Sequence, residues 1–183
     1  MAESLYVKEI LEELSRNARD VRDEELRAAA QEVLRARRVF AAGTGRSGCA
    51  AQAFCNRLMH LGHTAFFVYD VTTPPIREGD LLFIVSGSGA SSSPISMAEK
   101  AKKAGARVLT LTVHPEAPVG TMADCIVAIP GGTKKDGIKG GGQIMGDAFE
   151  EMSWIVCDAM VHMMREELGI SKEEMTARHA NLD

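Results

Sequence analysis

Three short stretches of this sequence carry groups whose type and spacing could do chemistry. The first is Gly43-Thr44-Gly45-Arg46-Ser47-Gly48, a literal G-x-G-x-x-G. It follows the apolar run "RVFAAG" and opens the helically patterned "RSGCAAQAFCNRLMHLGH". A strand–glycine–helix turn of this kind turns unpaired backbone N–H groups and a positive helix end toward an anion. The second is "SGSGASSS", with hydroxyls at Ser86, Ser88, Ser91, Ser92 and Ser93 and glycines at Gly87 and Gly89. It follows another apolar run and is followed within a few residues by another helix. Its plain alternative is a solvated Ser/Gly turn that holds nothing. The third is "QIMGDAFEE": Gln143, Asp147 and Glu150 are spaced by four and three, which puts them on one face of a helix. A carboxylate held there can serve as a general base; on composition alone, Glu150 and Glu151 read equally as a solvated acidic face.

Which anion the first loop holds is decided by what surrounds it. Asp70 ends the next apolar run at about the distance where a dinucleotide site places its ribose ligand. Against that reading, the sheet and its helices use up nearly the whole chain and leave no catalytic domain to present a hydride acceptor. Arg46 and Ser47, between the second and third glycines, suit a compact anion. The serine loop supplies a second anion site on the same edge of the sheet, where open α/β sheets bind ligands. Five hydroxyls match the several oxygens of one phosphate monoester. Together the loops point to a sugar phosphate, bound by Gly45, Arg46, Ser47, Ser86, Gly87, Ser88, Gly89 and Ser91.

The elements that must position these groups are legible from periodicity. Residues 1–37 read as two helices parted near "RNARDVRDEE", with Asp23 as a candidate N-cap. Residues 38–183 read as an α/β core, and the whole chain as a single domain. Its apolar runs, "RVFAAG", "TAFFVYD", "DLLFIV", "RVLTLTV" and "DCIVAIPG", alternate with helical segments, so both faces of a parallel sheet are covered. The expected class is α/β: doubly wound, with about five parallel strands flanked by helices. The glycine- and lysine-rich "GGTKKDGIKGGG" reads as a loop, Gln143–Glu167 as a long helix, and "SKEEMTARHANLD" as a short charged tail.

Composition removes several classes of function. A net charge of −4 gives no electrostatic reason to expect nucleic acid as the main partner. No apolar run reaches the ~18–20 residues needed to span a bilayer, and the charged start "MAESLYVKEILEEL" has no secretory core. A soluble cytoplasmic protein is the expectation. The four cysteines form no C-x-x-C pair and sit among apolar neighbours, which reads as reduced buried thiols rather than a disulfide framework or a zinc site.

The motifs "GTGRSG", "RLMHLG", "TTPPIREGDLLFIVSGSG", "MGDAFEE" and "RHANLD" resemble the 6-phospho-3-hexuloisomerases, a branch of the sugar-isomerase (SIS) domain family, over essentially the whole chain. The resemblance implies a flavodoxin-like three-layer sandwich and a homotetramer. It implies interconversion of D-arabino-hex-3-ulose 6-phosphate and D-fructose 6-phosphate through a cis-enediol, with no metal and no cofactor. That is a step of the ribulose monophosphate route, fixing formaldehyde or, run backwards, supplying pentose phosphate. It casts Glu150 as the base, His179 in "RHANLD" and His60 in "RLMHLG" as proton shuttles, and the tail as ordered, reaching a neighbouring subunit's site. Ala90 stands where the family has Glu, Ile144 where it has Pro and Glu151 where it has Gln. A non-catalytic sugar-phosphate sensor, or an SIS isomerase for another sugar phosphate, would share the same domain.

Overall fold

The computed structural model describes residues 4–133 and 143–182. Two helices come first, α1 (Leu5–Ala18) and α2 (Asp23–Arg35). Asp23 is the first helical residue rather than the cap, and the N-cap, Arg22, makes no side-chain capping bond. The rest alternates: β1 (Val39–Gly43), α3 (Arg46–His60), β2 (Ala65–Phe67), β3 (Leu81–Val85), α4 (Ser92–Lys103), β4 (Arg107–Thr112), α5 (Pro118–Met122), β5 (Cys125–Ala128), α6 (Asp147–Leu168) and α7 (Lys172–Ala177).

The five strands are all parallel, in the order β2-β1-β3-β4-β5. Because β1 and β3 are buried at every position, alternation is missing from their sequences and their side chains fill two separate cores. Val39, Ala41, Leu81, Phe83 and Val85 point to the face covered by α2, α3 and α6. Phe40, Ala42, Leu82 and Ile84 point to the face covered by α4 and α5. The result is the three-layer α/β sandwich expected from sequence.

Strand order fixes where a ligand can sit. The chain leaves β1 in one direction for β2 and returns on its other side as β3, so the crossovers diverge between β1 and β3. The crevice beyond their C-terminal ends is the natural site of such a sheet. Gly43 is paired with Val85, so the glycine loop and the serine loop leave the sheet side by side.

Candidate active site

Glycine shapes the first loop in two ways. A Cβ on Gly43 would lie 2.7 Å from the Ser47 backbone, and one on Gly48 would lie 2.7 Å from the Gly43 carbonyl oxygen, so both glycines let α3 start against the end of β1. Gly45 caps α3 at φ 59° and ψ −135°, a conformation that side chains rarely adopt. In the second loop, Gly89 has φ 56° and packs against Ala117, while the ring of Phe149 covers Gly87 so closely that a Cβ there would lie 3.0 Å from it, inside van der Waals contact. The buried Thr112 hydroxyl donates to the Gly87 carbonyl (3.1 Å) and holds the loop from below.

Above these loops lies a cleft of about 200 Å³, lined among others by Ser47, Ser86, Ser88, Ser91, Gly146 and Glu150. Three helices begin at its edge: α3, α4 and α6. None of their N-caps (Gly45, Ser91, Gly146) makes a side-chain capping bond. The first N–H groups of a helix have no partner within it, so three sets of orphan donors and three positive helix ends converge on one small space. Across from the serines stands Glu150, its side chain 15% exposed.

The structure brings Ser47, Ser86, Gly87, Ser88, Ser91 and Glu150 together around this cleft. Gly45 and Gly89 shape its loops without lining it, and Ser93 turns away toward the Tyr69 hydroxyl (3.5 Å). Arg46 is not among the serines as expected. Its guanidinium is 60% exposed and donates to Glu150, with Asp147 3.6 Å away. Gln143 lies outside α6, because Met145 (φ 62°) and Gly146 (φ 88°) are left-handed and delay the helix to Asp147. The expected face of Gln143, Asp147 and Glu150 is therefore reduced to the last two.

His60 and His179 are brought to each other but not to Glu150. Their rings stack at 5.3 Å, and Arg178 donates to the His60 carbonyl (3.1 Å). His60 is the last residue of α3, about 21 Å along the helix from Arg46 at 1.5 Å per residue. As proton shuttles for the cleft of their own chain they are misplaced. His60 is buried, and that burial, then Arg57 and His179, lower its pKa.

Two contributors escaped the sequence reading. Phe149 is buried and also walls the cleft. Glu13 of α1 is 6% exposed and accepts the Gln143 N–H (3.1 Å), so the N-terminal helix anchors the turn that precedes α6. The available signal was an acid on the inward face shared with Ile10, Leu14 and Asn17. Of the cysteines, Cys55 and Cys157 are buried and Cys49 is exposed, contrary to expectation; burial pushes the Cys55 thiol up to about 11. Among the described residues no group of His, Cys, Asp or Glu is placed to hold a metal, and no helix is long and apolar enough to cross a membrane.

A doubly wound parallel sheet with uncapped helix ends and hydroxyls at its switch point is the architecture of a phosphosugar-binding domain, and the chain belongs to the SIS domain family, which matches residues 32–159. Within that family several of its relatives are 3-hexulose-6-phosphate isomerases. It is 41% identical to the 3-hexulose-6-phosphate isomerase of Bacillus subtilis (strain 168), over 97% of each chain. It is 38% identical to that of Mycobacterium gastri, over 95% of this chain and 88% of the other. The crystal structure of a Methanococcus jannaschii protein, from which a function of 3-hexulose-6-phosphate isomerase was inferred, superposes with a TM-score of 0.80 at 30% identity. That superposition covers 97% of this chain and 96% of the other.

Proposed function

We propose that this protein interconverts D-arabino-hex-3-ulose 6-phosphate and D-fructose 6-phosphate, acting as one domain within a homotetramer. The observation that carries the reading is the convergence of three uncapped helix N-termini and the serine hydroxyls on a cleft faced by one carboxylate, Glu150. Backbone N–H groups and the hydroxyls of Ser47, Ser86, Ser88 and Ser91 hold the phosphate. The carbonyl then lies toward α6. Glu150 takes the proton from C2, the electrons of that C–H bond form the C2–C3 double bond, and O3 gains a proton. Glu150 returns its proton to C3 while O2 loses one, leaving the carbonyl at C2. The net change is a relocated carbonyl, so the reaction consumes no oxidant or reductant. In metabolism this places the protein in the ribulose monophosphate route, in whichever direction that route runs.

The test is turnover by the purified protein, with fructose 6-phosphate formation coupled to NADP reduction through glucose-phosphate isomerase and glucose-6-phosphate dehydrogenase. We expect activity that is unaffected by a chelator. No turnover from protein with an intact melting transition would overturn the reading and favour a sugar-phosphate sensor.

His60 and His179 enter this scheme from another copy of the chain, since within one chain they lie at the wrong end of α3. Glu150→Gln and His179→Ala variants, each impaired alone, are then expected to complement when co-expressed. About one quarter of the sites would join an intact Glu150 with a neighbour's intact His179 under random assembly into a closed oligomer. Mixed oligomers no more active than the better parent would sink this arrangement.

A further inference from the structure

We infer that Arg46 is a positioning residue for Glu150 rather than a phosphate ligand; this rests on Glu150 being the base proposed above. Arg46 is the first residue of α3, placed there by the left-handed Gly45, and its side chain crosses from α3 to the first turn of α6. There it meets two acids one helical turn apart. Its Nε donates to Glu150 Oε2 and lies 3.6 Å from Asp147 Oδ1. Asp147 and Glu150 are i and i+3 on one helix face, where like charges repel; a guanidinium between them removes that repulsion and fixes both.

The geometry of the rim separates the two partners. Glu150 lines the cleft, whereas Arg46 is mostly exposed and is absent from the cleft wall formed by the serines. The cation therefore grips the carboxylate from the solvent side by one oxygen and leaves Oε1 as the oxygen free to receive a proton. A glutamate has three torsions to fix before its oxygen meets a substrate carbon, and this contact fixes them in advance. The electrostatics of the pair raise the Arg46 pKa, chiefly through the hydrogen bond to Glu150, so the guanidinium stays charged wherever the carboxylate does. With its guanidinium 60% exposed, the pair adds little to folding stability. A function in holding the base accounts for it better.

A positioning residue and a phosphate ligand fail differently when replaced. In Arg46→Gln, kcat is expected to fall about 10- to 100-fold through misplacement of the base, as small displacements of reacting groups do. KM and the inhibition constant of inorganic phosphate should move less than about threefold, because the serine loops still hold the anion. Arg46→Lys keeps the charge without the planar fork and should recover only part of the lost kcat. Melting temperatures should stay near that of the wild type. An unchanged kcat overturns the inference, as does a tenfold weaker phosphate inhibition with kcat retained. Wild-type protein is assayed in parallel with the variants. If it too is inactive, the proposed isomerase activity fails; if it is active and Arg46→Gln matches it, only the role given to Arg46 fails.

Discussion

Glu150→Gln should lower kcat about 10³-fold, within the 10²- to 10⁴-fold that a positioned general base contributes. The amide has the shape of the carboxylate and still offers Arg46 an acceptor oxygen, so the wall of the cleft is kept. What it loses is the capacity to hold the proton between its removal from one carbon and its delivery to the next. Phosphate recognition belongs to other elements, the loops after β1 and β3. Fructose 6-phosphate should therefore bind the variant within about threefold of the wild type in calorimetry, a loss confined to the transition state. The melting temperature should hardly change, since Glu150 lies one turn inside α6 at its edge and the residues that bury α6 begin with Ala148, Phe149 and Met152. A variant retaining more than one tenth of wild-type kcat would clear Glu150 of the role.

The largest effect on stability is expected at the opposite end of the sheet. Asp80 is 2% exposed just before β3, and its carboxylate accepts from Arg37, from Arg38 (3.0 and 2.5 Å) and from the Arg77 N–H (2.8 Å). It thereby joins the start of β1 to the turn that enters β3. Removing one partner of a buried ion pair costs about 3–5 kcal/mol. Arg37 is more than half exposed and can rehydrate, so Asp80→Ala belongs near the low end. At about 2–4 °C per kcal/mol for a chain of this size, the melting temperature should fall by about 6–12 °C; a fall under 2 °C would contradict the assignment.

The same carboxylate sets an acid dependence. Burial works to raise the Asp80 pKa, but the bonds from Arg38, the Arg77 N–H and Arg37 outweigh it and hold the group below its ordinary value. Its contribution is therefore full above the unfolded pKa, near ~4, and disappears as pH falls through the lower folded value. The melting-temperature gap between wild type and Asp80→Asn should be constant from neutrality to about pH 5 and close only below about pH 4. A gap that closes on going alkaline would carry the wrong sign.

The central strands β1 and β3 were legible because full burial on both faces leaves them as unbroken apolar runs. β2 was read too long. It ends at Phe67, where the chain turns back with the Asp70 N–H on the Phe67 carbonyl. α5 and α7 were missed, although each carries a start signal. Pro118 occupies the first turn of α5, and Ser171 with Glu174 forms a capping box in α7. Both are too short for periodicity to show. Of the site, the serine loop and Glu150 could be read from type and spacing. The partners of Arg46, the distance of His60 from the cleft and the anchoring role of Glu13 could not, because each depends on how α1, α3 and α6 lie against one another. Periodicity says which face of a helix is buried, not what meets its ends.

The two walls of the cleft have different origins. One is made by loops of adjacent, paired strands, so its dimensions follow from strand spacing and cannot drift without unpairing the sheet. The other is made by Gly132 and Thr133 together with Met145, Gly146, Phe149 and Glu150, where α6 opens. In evolutionary terms the phosphate grip and the chemistry are separately heritable. A new sugar could be accommodated by rewriting a few residues at the start of α6, with the sheet and its two anion loops passing unchanged to the descendant.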